Sequence, residues 1–461
     1  MSRVVPTKLT SYSPLPVGIS NKQLEISYAS IIPANSSSGT KFAPTSTNRI
    51  LFRVPSFQNC FLDNSRSSLS FIFAVNYNVD TPESAGNGLI LNPHLGTPSL
   101  FKRMIIKSPN GLVIEDITDL NILNKILDTM YPTVSNRHTE GIFDGDMYIT
   151  SDLTSGNKSA QNTRQRAGVK MHYYFNHGML SRHLQTYLPL HSMNGGNAGH
   201  AFSIELYLNE SVNVLEKIGT GTTNAVKGYS LTDMRYNMTL LKADQSVIER
   251  FNNLANDSSE LVIPFSTYRS YTNGLSSAQK STVQISEACS DLRRVHTVIL
   301  SSTAQDEPSN TTPTAVVFHG GHSASDTKSK VKSYQLQVGS KFIYNEPIES
   351  NGTDNMEFLN QVINATFAKN DIKATKLDSA GNLRFEKDDF TLTSCFTYDN
   401  PQQYTNGISL GSLPLVMKLE LDDTPDGDKY LLTFSELGFN LIVKDGYLTV
   451  KDSKDISDFG Y

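Results

Sequence analysis

The chain repeats itself. Tyr229, Leu231, Thr232, Leu240 and Asp244 are matched by Tyr430, Leu432, Thr433, Leu441 and Asp445, each 201 residues further on. At the same offset Tyr236, Met238 and Leu241 meet the apolar Leu437, Phe439 and Ile442. Ahead of the first block stands AFSIELYL, with Phe202, Ile204, Leu206 and Leu208 at alternate positions. Ahead of the second stands LPLVMKLEL, with Leu413, Leu415, Met417, Leu419 and Leu421 spaced the same way. A period of two marks a half-buried strand, and self-similarity at long period marks a duplicated architecture.

The rest of each half agrees. Strand-like runs such as RILFRVP, SLSFIFAVNYNV and SLFKRMIIKS follow one another, and Pro109-Asn110-Gly111 supplies a hairpin signal before GLVIED. One clear helix follows in each half. In 116–130, Ile117, Leu120, Leu123, Ile126, Leu127 and Met130 recur at three- and four-residue steps; in 354–367, Met356, Leu359, Val362, Ile363 and Phe367 do so. Asp354 and Glu357 give the second helix a capping-box start. A weaker helical pattern runs through QSVIERFNNLA. The loops Pro132–Gly168 and Ser301–Ser329 are rich in Ser, Thr, Asn and Gly, and the first has no counterpart of equal length, which explains why the offset between the halves falls from 238 at the helices to 201 at the end.

In KSYQLQVGSKFIYNEPIES, Tyr334, Leu336, Val338, Phe342 and Tyr344 share one parity while Gln335, Gln337, Gly339 and Lys341 share the other. This reads as one long strand with a bend at Gly339-Ser340, stopped by Pro347. A chain of 461 residues holds two sandwiches of about 200–250 residues comfortably. The expected fold is therefore all-β: two tandem jelly-roll β-sandwiches with short helices inserted in loops. The expected division is an N-terminal arm at 1–44, which is Ser/Pro/Asn-rich, a first roll at 45–244, a linker helix at 245–257 and a second roll at 258–461.

KRMIIKSPNGLVIEDIT followed by a helix, KSYQLQVGSKFIYNEPI in the second half, and CFTYDNPQQYTNGISLGSLPLVMKLEL near the end resemble major capsid proteins of the double jelly-roll lineage. That lineage includes adenovirus hexon and the capsid proteins of nucleocytoplasmic large DNA viruses, virophages and polinton-like viruses. The resemblance spans Thr45 to Lys451 in element order. It implies a non-enzymatic virion shell protein, assembled inside the host cell. Three two-barrel chains would make a pseudohexagonal homotrimer that tiles an icosahedral capsid. It also implies as partners the neighbouring capsomers, penton proteins, and minor capsid or cement proteins. The loop Pro132–Gly168, which breaks the otherwise even offset between the halves, is the candidate for an extra intersubunit contact.

Charge supports part of this. The formal charge is −5 and no Lys/Arg block stands out, so neither genome packaging by charge neutralisation nor direct sequence-specific nucleic acid binding is expected. Cys60, Cys289 and Cys395 lie far apart, which suggests no disulfide framework and no zinc site. No apolar run follows Met1 in the manner of a secretion signal. The competing class, a cell-surface or phage-tail carbohydrate-binding sandwich, would favour exposed Trp platforms, and the chain has no Trp.

Several motifs invite chemistry and fail on order or context. Gly407–Gly411, GISLG, fits a nucleophile elbow around Ser409, and Phe318–His322, FHGGH, suggests an oxyanion loop. An α/β-hydrolase places its His after its Ser and a helix directly after the elbow. Here the last His is His322 and an alternating strand follows Ser409. DDTPDGD, Asp422–Asp428, opens like a calcium loop but has Thr433 at the twelfth position and Pro425 inside, so a hairpin turn on Asp426-Gly427 is expected. GTGTT at Gly219–Thr223 lacks the third glycine of a dinucleotide loop. His172, His177, His183, His191 and His200 match no metal spacing; a pH-sensitive patch is the functional alternative to ordinary structural histidines. No catalytic, cofactor-binding or metal residue is expected.

Overall fold

A computed structural model describes residues 24–77, 88–130, 162–193, 199–218, 226–249, 261–302, 317–321, 328–350, 390–397 and 407–452, apart from isolated positions within them. The first half contributes β1 (Leu24–Ile31), β2 (Arg49–Pro55), β3 (Cys60–Tyr77), β4 (Gly88–Leu91), β5 (Phe101–Lys107) and β6 (Val113–Thr118). Helix α1 (Leu120–Met130) comes next, then β7 (Lys170–Tyr173), β8 (His200–Leu208), β9 (Leu215–Ile218) and β10 (Val226–Ala243). The second half contributes β11 (Leu261–Gly274), β12 (Lys280–Ile285), β13 (Leu292–Ser301), β14 (Val331–Val338) and β15 (Lys341–Phe342). It closes with β16 (Ile348–Glu349), β17 (Leu392–Cys395), β18 (Leu415–Leu421), β19 (Lys429–Lys444) and β20 (Tyr447–Asp452).

The sheets show the duplication directly. The first half forms β1-β10-β3-β7 and β2-β8-β5-β6; the second forms β11-β19-β13-β17 and β12-β18-β14-β15, with β20 and β16 added beside β19 and β14. Reading β1 as β11, β2 as β12, β3 as β13, β5 as β14, β7 as β17, β8 as β18 and β10 as β19 turns one set into the other. The pairs β10/β19 and β8/β18 are the two strand repeats visible in the sequence. Even an irregularity is shared. The register of β5 on β8 slips between Phe101 and Arg103, and that of β14 on β18 slips between Val331 and Ser333, at matching places. A bulge kept in both copies is a built feature of the strand.

Strand alternation decides what each face meets. β12 reads exposed–buried throughout, with Ser281, Val283 and Ile285 turned inward. β13 is buried on both faces along nine of its ten residues, because its sheet is covered inside by its own roll and outside by the first half. Val295 and Ile299 join the second core, whereas Val298 and Leu300 join the first. Ion pairs also sit here: Arg294 and Glu436, both nearly fully buried, meet at 2.7 Å.

Four expectations need correction. Residues 24–43 are no arm: β1 pairs along its length with β10, and Phe42 is buried and bridged to Leu231. Residues 1–23 lie outside the described residues. The helix expected over 116–130 begins at Leu120, because Asp116–Thr118 are held in β6 against β5. The run from Lys332 is a hairpin, since Gly339 at φ +57° makes a two-residue turn and Lys341-Phe342 folds back on Gln337-Val338. That turn reverses the parity, so Phe342 pairs with outward Gln337 and stands exposed. Finally, β18 and β19 belong to different sheets, so Asp422–Asp428 is a crossover between sheets and not a hairpin turn. Of the linker helix, 245–249 is helical; 250–257, the helix at 354–367, and most of Pro132–Gly168 and Ser301–Ser329 lie outside the described residues.

Candidate functional site

Among the described residues, the motifs weighed for chemistry bring no reactive centre together. Ser409 is exposed in the short link before β18, directly after an isolated bridge of Ile408 to Leu292. Gly407 is there for space: its N–H donates to Asp291 Oδ1 at 2.5 Å, and a Cβ would run into the Leu292 carbonyl. Phe318 is fully buried under the Lys125 ammonium, 4.2 Å from the ring centroid, and His319 bridges Ile299, so this segment serves packing. His322 and Gly219–Thr223 lie outside the described residues. Asp428 accepts the Ser301 hydroxyl at 2.7 Å and the Lys429 ammonium at 3.2 Å.

The histidine-rich stretch resolves into separate packing roles. His177 is buried with Nε2 3.3 Å from the Tyr173 hydroxyl, and burial pulls its pKa down to about 3. His191 lies edge-on to Phe61, and burial holds it at about 4 despite Nδ1 being 3.4 Å from the Cys60 carbonyl. Burial and then Lys170 lower His172. His177 and His191 stay neutral between pH 5 and 8, which removes them from a pH-sensitive patch, and the shift of His172 runs in the same direction. Among the described residues no group of three metal-ligating side chains comes together. Cys60 and Cys289 are buried, Cys395 is half-buried, and all three are free thiols.

The arrangement that does stand out is the junction between the halves. Edge strand β6 runs alongside edge strand β11. Thr118 Oγ1 lies 2.5 Å from Ser270 Oγ, and the Thr267 hydroxyl approaches the carboxyl of Glu115. Glu115 is buried; its Oε2 accepts the Met179 N–H at 2.9 Å, and burial pushes its pKa up to about 7. Beyond it α1 lies buried along Asn121–Asp128, with Leu123, Ile126 and Leu127 in the same apolar cluster as Phe318, Leu432 and Phe434 of the second half. The amphipathic pattern in 116–130 gave this helix away in the sequence. The pairing of β6 with β11 had no such signal, because side-chain hydroxyls join them and no strand ladder does.

The chain thus holds two copies of a roll built on two main sheets of matching strand order, with a further β4–β9 pair in the first half. The second roll packs against the first along β6, β11 and α1. No family model matches the sequence, and no curated protein does. Solved structures match along the whole length. PBCV-1 VP54, as fitted into a reconstruction of the virophage Sputnik, aligns with a TM-score of 0.58 at 10% identity, covering 95% of this chain and 99% of that one. The chain has the double jelly-roll fold. The Sputnik virophage structure at 3.5 Å aligns at 0.56 with 10% identity, over 100% of this chain and 96% of that one. The Faustovirus major capsid protein aligns at 0.53 with 9% identity, over 94% and 92%. At such identity the shared property is the double jelly-roll architecture itself.

Proposed function

We propose that this double jelly roll is a major capsid protein that self-assembles into pseudohexagonal homotrimers tiling an icosahedral virion shell. One observation carries the reading: two rolls of matching main-sheet order lie side by side in one chain, in a fold shared along most of its length with the Faustovirus major capsid protein. Three such chains supply six nearly equivalent rolls, so a threefold particle fits a hexagonal lattice. The work is mechanical and requires no catalytic residue, cofactor or metal. The partners are other copies of the chain, neighbouring capsomers, and penton and minor capsid proteins, within the virion. We place the two rolls at 24–244 and 258–461, with 245–257 between them.

Mass photometry and negative-stain imaging of the purified chain test this. A trimer of about 153 kDa, three times 50.9 kDa, with a six-cornered outline is expected. A stable monomer or dimer at micromolar concentration would remove the geometry on which the proposal stands.

A further inference from the structure

The junction inside the chain has a counterpart that the chain alone leaves open. Ile31 pairs with Tyr236 in β10, and Thr267 pairs with Leu437 in β19, 201 residues on. Thr267 therefore corresponds to Ile31, Tyr268 to Ile32 and Ser270 to Ala34. On the other side, Thr118 pairs with Arg103 and Glu349 with Ser333, one step after the shared bulge in each case. Thr118 thus corresponds to Glu349, and by the same reasoning Val113, opposite Lys107, corresponds to Phe342, opposite Gln337.

Within the chain, Thr118 touches Ser270 and the first half covers Tyr268, which is 4% exposed. The corresponding positions on the other two edges are bare. Ile32 is 62% exposed, and Ala34 and Glu349 are exposed, whereas Phe342, at 40%, matches the exposure of its in-chain counterpart Val113, at 47%. Along β1 the apolar row continues outward through Ile26 and Tyr28, at 50% and 76%. An edge strand with an apolar outer face is a surface that soluble chains ordinarily cover or charge. The duplication says what covers it, because the chain already shows an edge of this kind meeting its mate.

We propose that the β15–β16 edge of one copy seats against β1 of the next copy as β6 seats against β11 within a single chain. This rests on the trimeric reading and names its contact. The two surfaces differ, so the interface is head-to-tail, and such an interface makes rings when its rotation closes. Alternating the in-chain and between-chain versions of one contact arranges six rolls around an axis in three chains.

Crosslinking in the full chain tests the contact. Thr118→Cys with Ser270→Cys should oxidise within the chain, leave its mass unchanged and calibrate the geometry. Ala34→Cys with Glu349→Cys should give covalent dimers and trimers on a denaturing gel, while either substitution alone leaves monomers. Tyr28→Arg with Ile32→Arg should convert trimers to monomers with an unchanged circular dichroism spectrum. If the parent is trimeric yet the cysteine pair stays uncrosslinked and the arginine variant stays trimeric, the contact is elsewhere and this proposal falls alone. If the parent is monomeric, the trimeric reading falls and takes the contact with it.

Discussion

Glu115 and Met179 are joined beside the junction, within the first half, by a hydrogen bond from a backbone N–H to a buried side-chain carboxyl. Oε2 accepts the Met179 N–H at 2.9 Å, and Oε1 has no hydrogen bond of normal geometry among the described residues. The carboxyl also occupies the space where a Cβ on Gly178 would stand. Fold and charge state are therefore coupled at this point.

Burial raises the folded pKa of Glu115 from 4.5 to about 7, against the pull of Met179 N–H and Thr267. A carboxyl raised in the fold binds its proton more tightly there than in the unfolded chain. Stability is thus undiminished below about pH 4.5, declines as pH rises to 7, and carries the full ionisation penalty above it, on the order of 3 kcal/mol. Glu115→Gln keeps an acceptor for Met179 and removes the charge. Its melting temperature should exceed the parent's at pH 8 and match it near pH 5; equal differences at both pH values would refute the coupling.

Gly178→Ala should be much more disruptive than Gly111→Ala. Both glycines have positive φ, 69° and 86°, but a Cβ at Gly111 meets open space whereas one at Gly178 meets the Glu115 carboxyl. Thermal unfolding of the two variants should separate backbone strain alone, about 1 kcal/mol, from strain with overpacking, about 2–4 kcal/mol.

Glu436→Leu leaves the buried Arg294 guanidinium without its carboxylate, 2.7 Å away in the parent. A loss of about 3–5 kcal/mol in urea unfolding is expected. Adding Arg294→Met should recover most of it, since two apolar side chains of similar volume require no charge in the interior. A double variant no better than the single would show that the pair supplies more than mutual neutralisation.

Phe42→Ala should cost about 3–5 kcal/mol by leaving a cavity in the first core, where Phe42 is 1% exposed. A surface arm would tolerate the change, so a stability equal to the parent's would restore the arm reading for this segment.

Ser409→Ala should assemble and melt like the parent, because the side chain is exposed in a link that serves β18. Loss of a hydrolytic activity that the parent possesses, with assembly intact, would reinstate the nucleophile elbow.

Much of the architecture was legible because period-two patterning survives duplication. The β8/β18 and β10/β19 repeats, the Asn110-Gly111 hairpin and α1 could all be placed from spacing alone. β1 was missed although Leu24, Ile26 and Tyr28 alternate, because Ser- and Pro-rich neighbours masked it and its apolar row points outward. The Lys332–Ser350 run was misread as one strand because a two-residue turn preserves the look of alternation while exchanging the faces. The buried Arg294–Glu436 pair and the Glu115 carboxyl gave no signal, since a charged residue in a strand ordinarily reads as solvent-facing. Burial on both faces depends on the second roll lying against the first, and that fact belongs to tertiary structure.

The pairing of first strand with last in the first roll, β1 with β10, has a consequence for synthesis. Leu24 sits opposite Ala243, so the strand made earliest waits for the one made latest in its roll. At about 5–20 residues per second that wait lasts on the order of ten to forty seconds. Through it the nascent chain carries an unpaired β1 with an apolar row, and non-local closure of this kind is slow in its own right. The first roll can close while the second is still being translated, so the ribosome presents a finished surface, β6 and α1, before β11 arrives to dock on it.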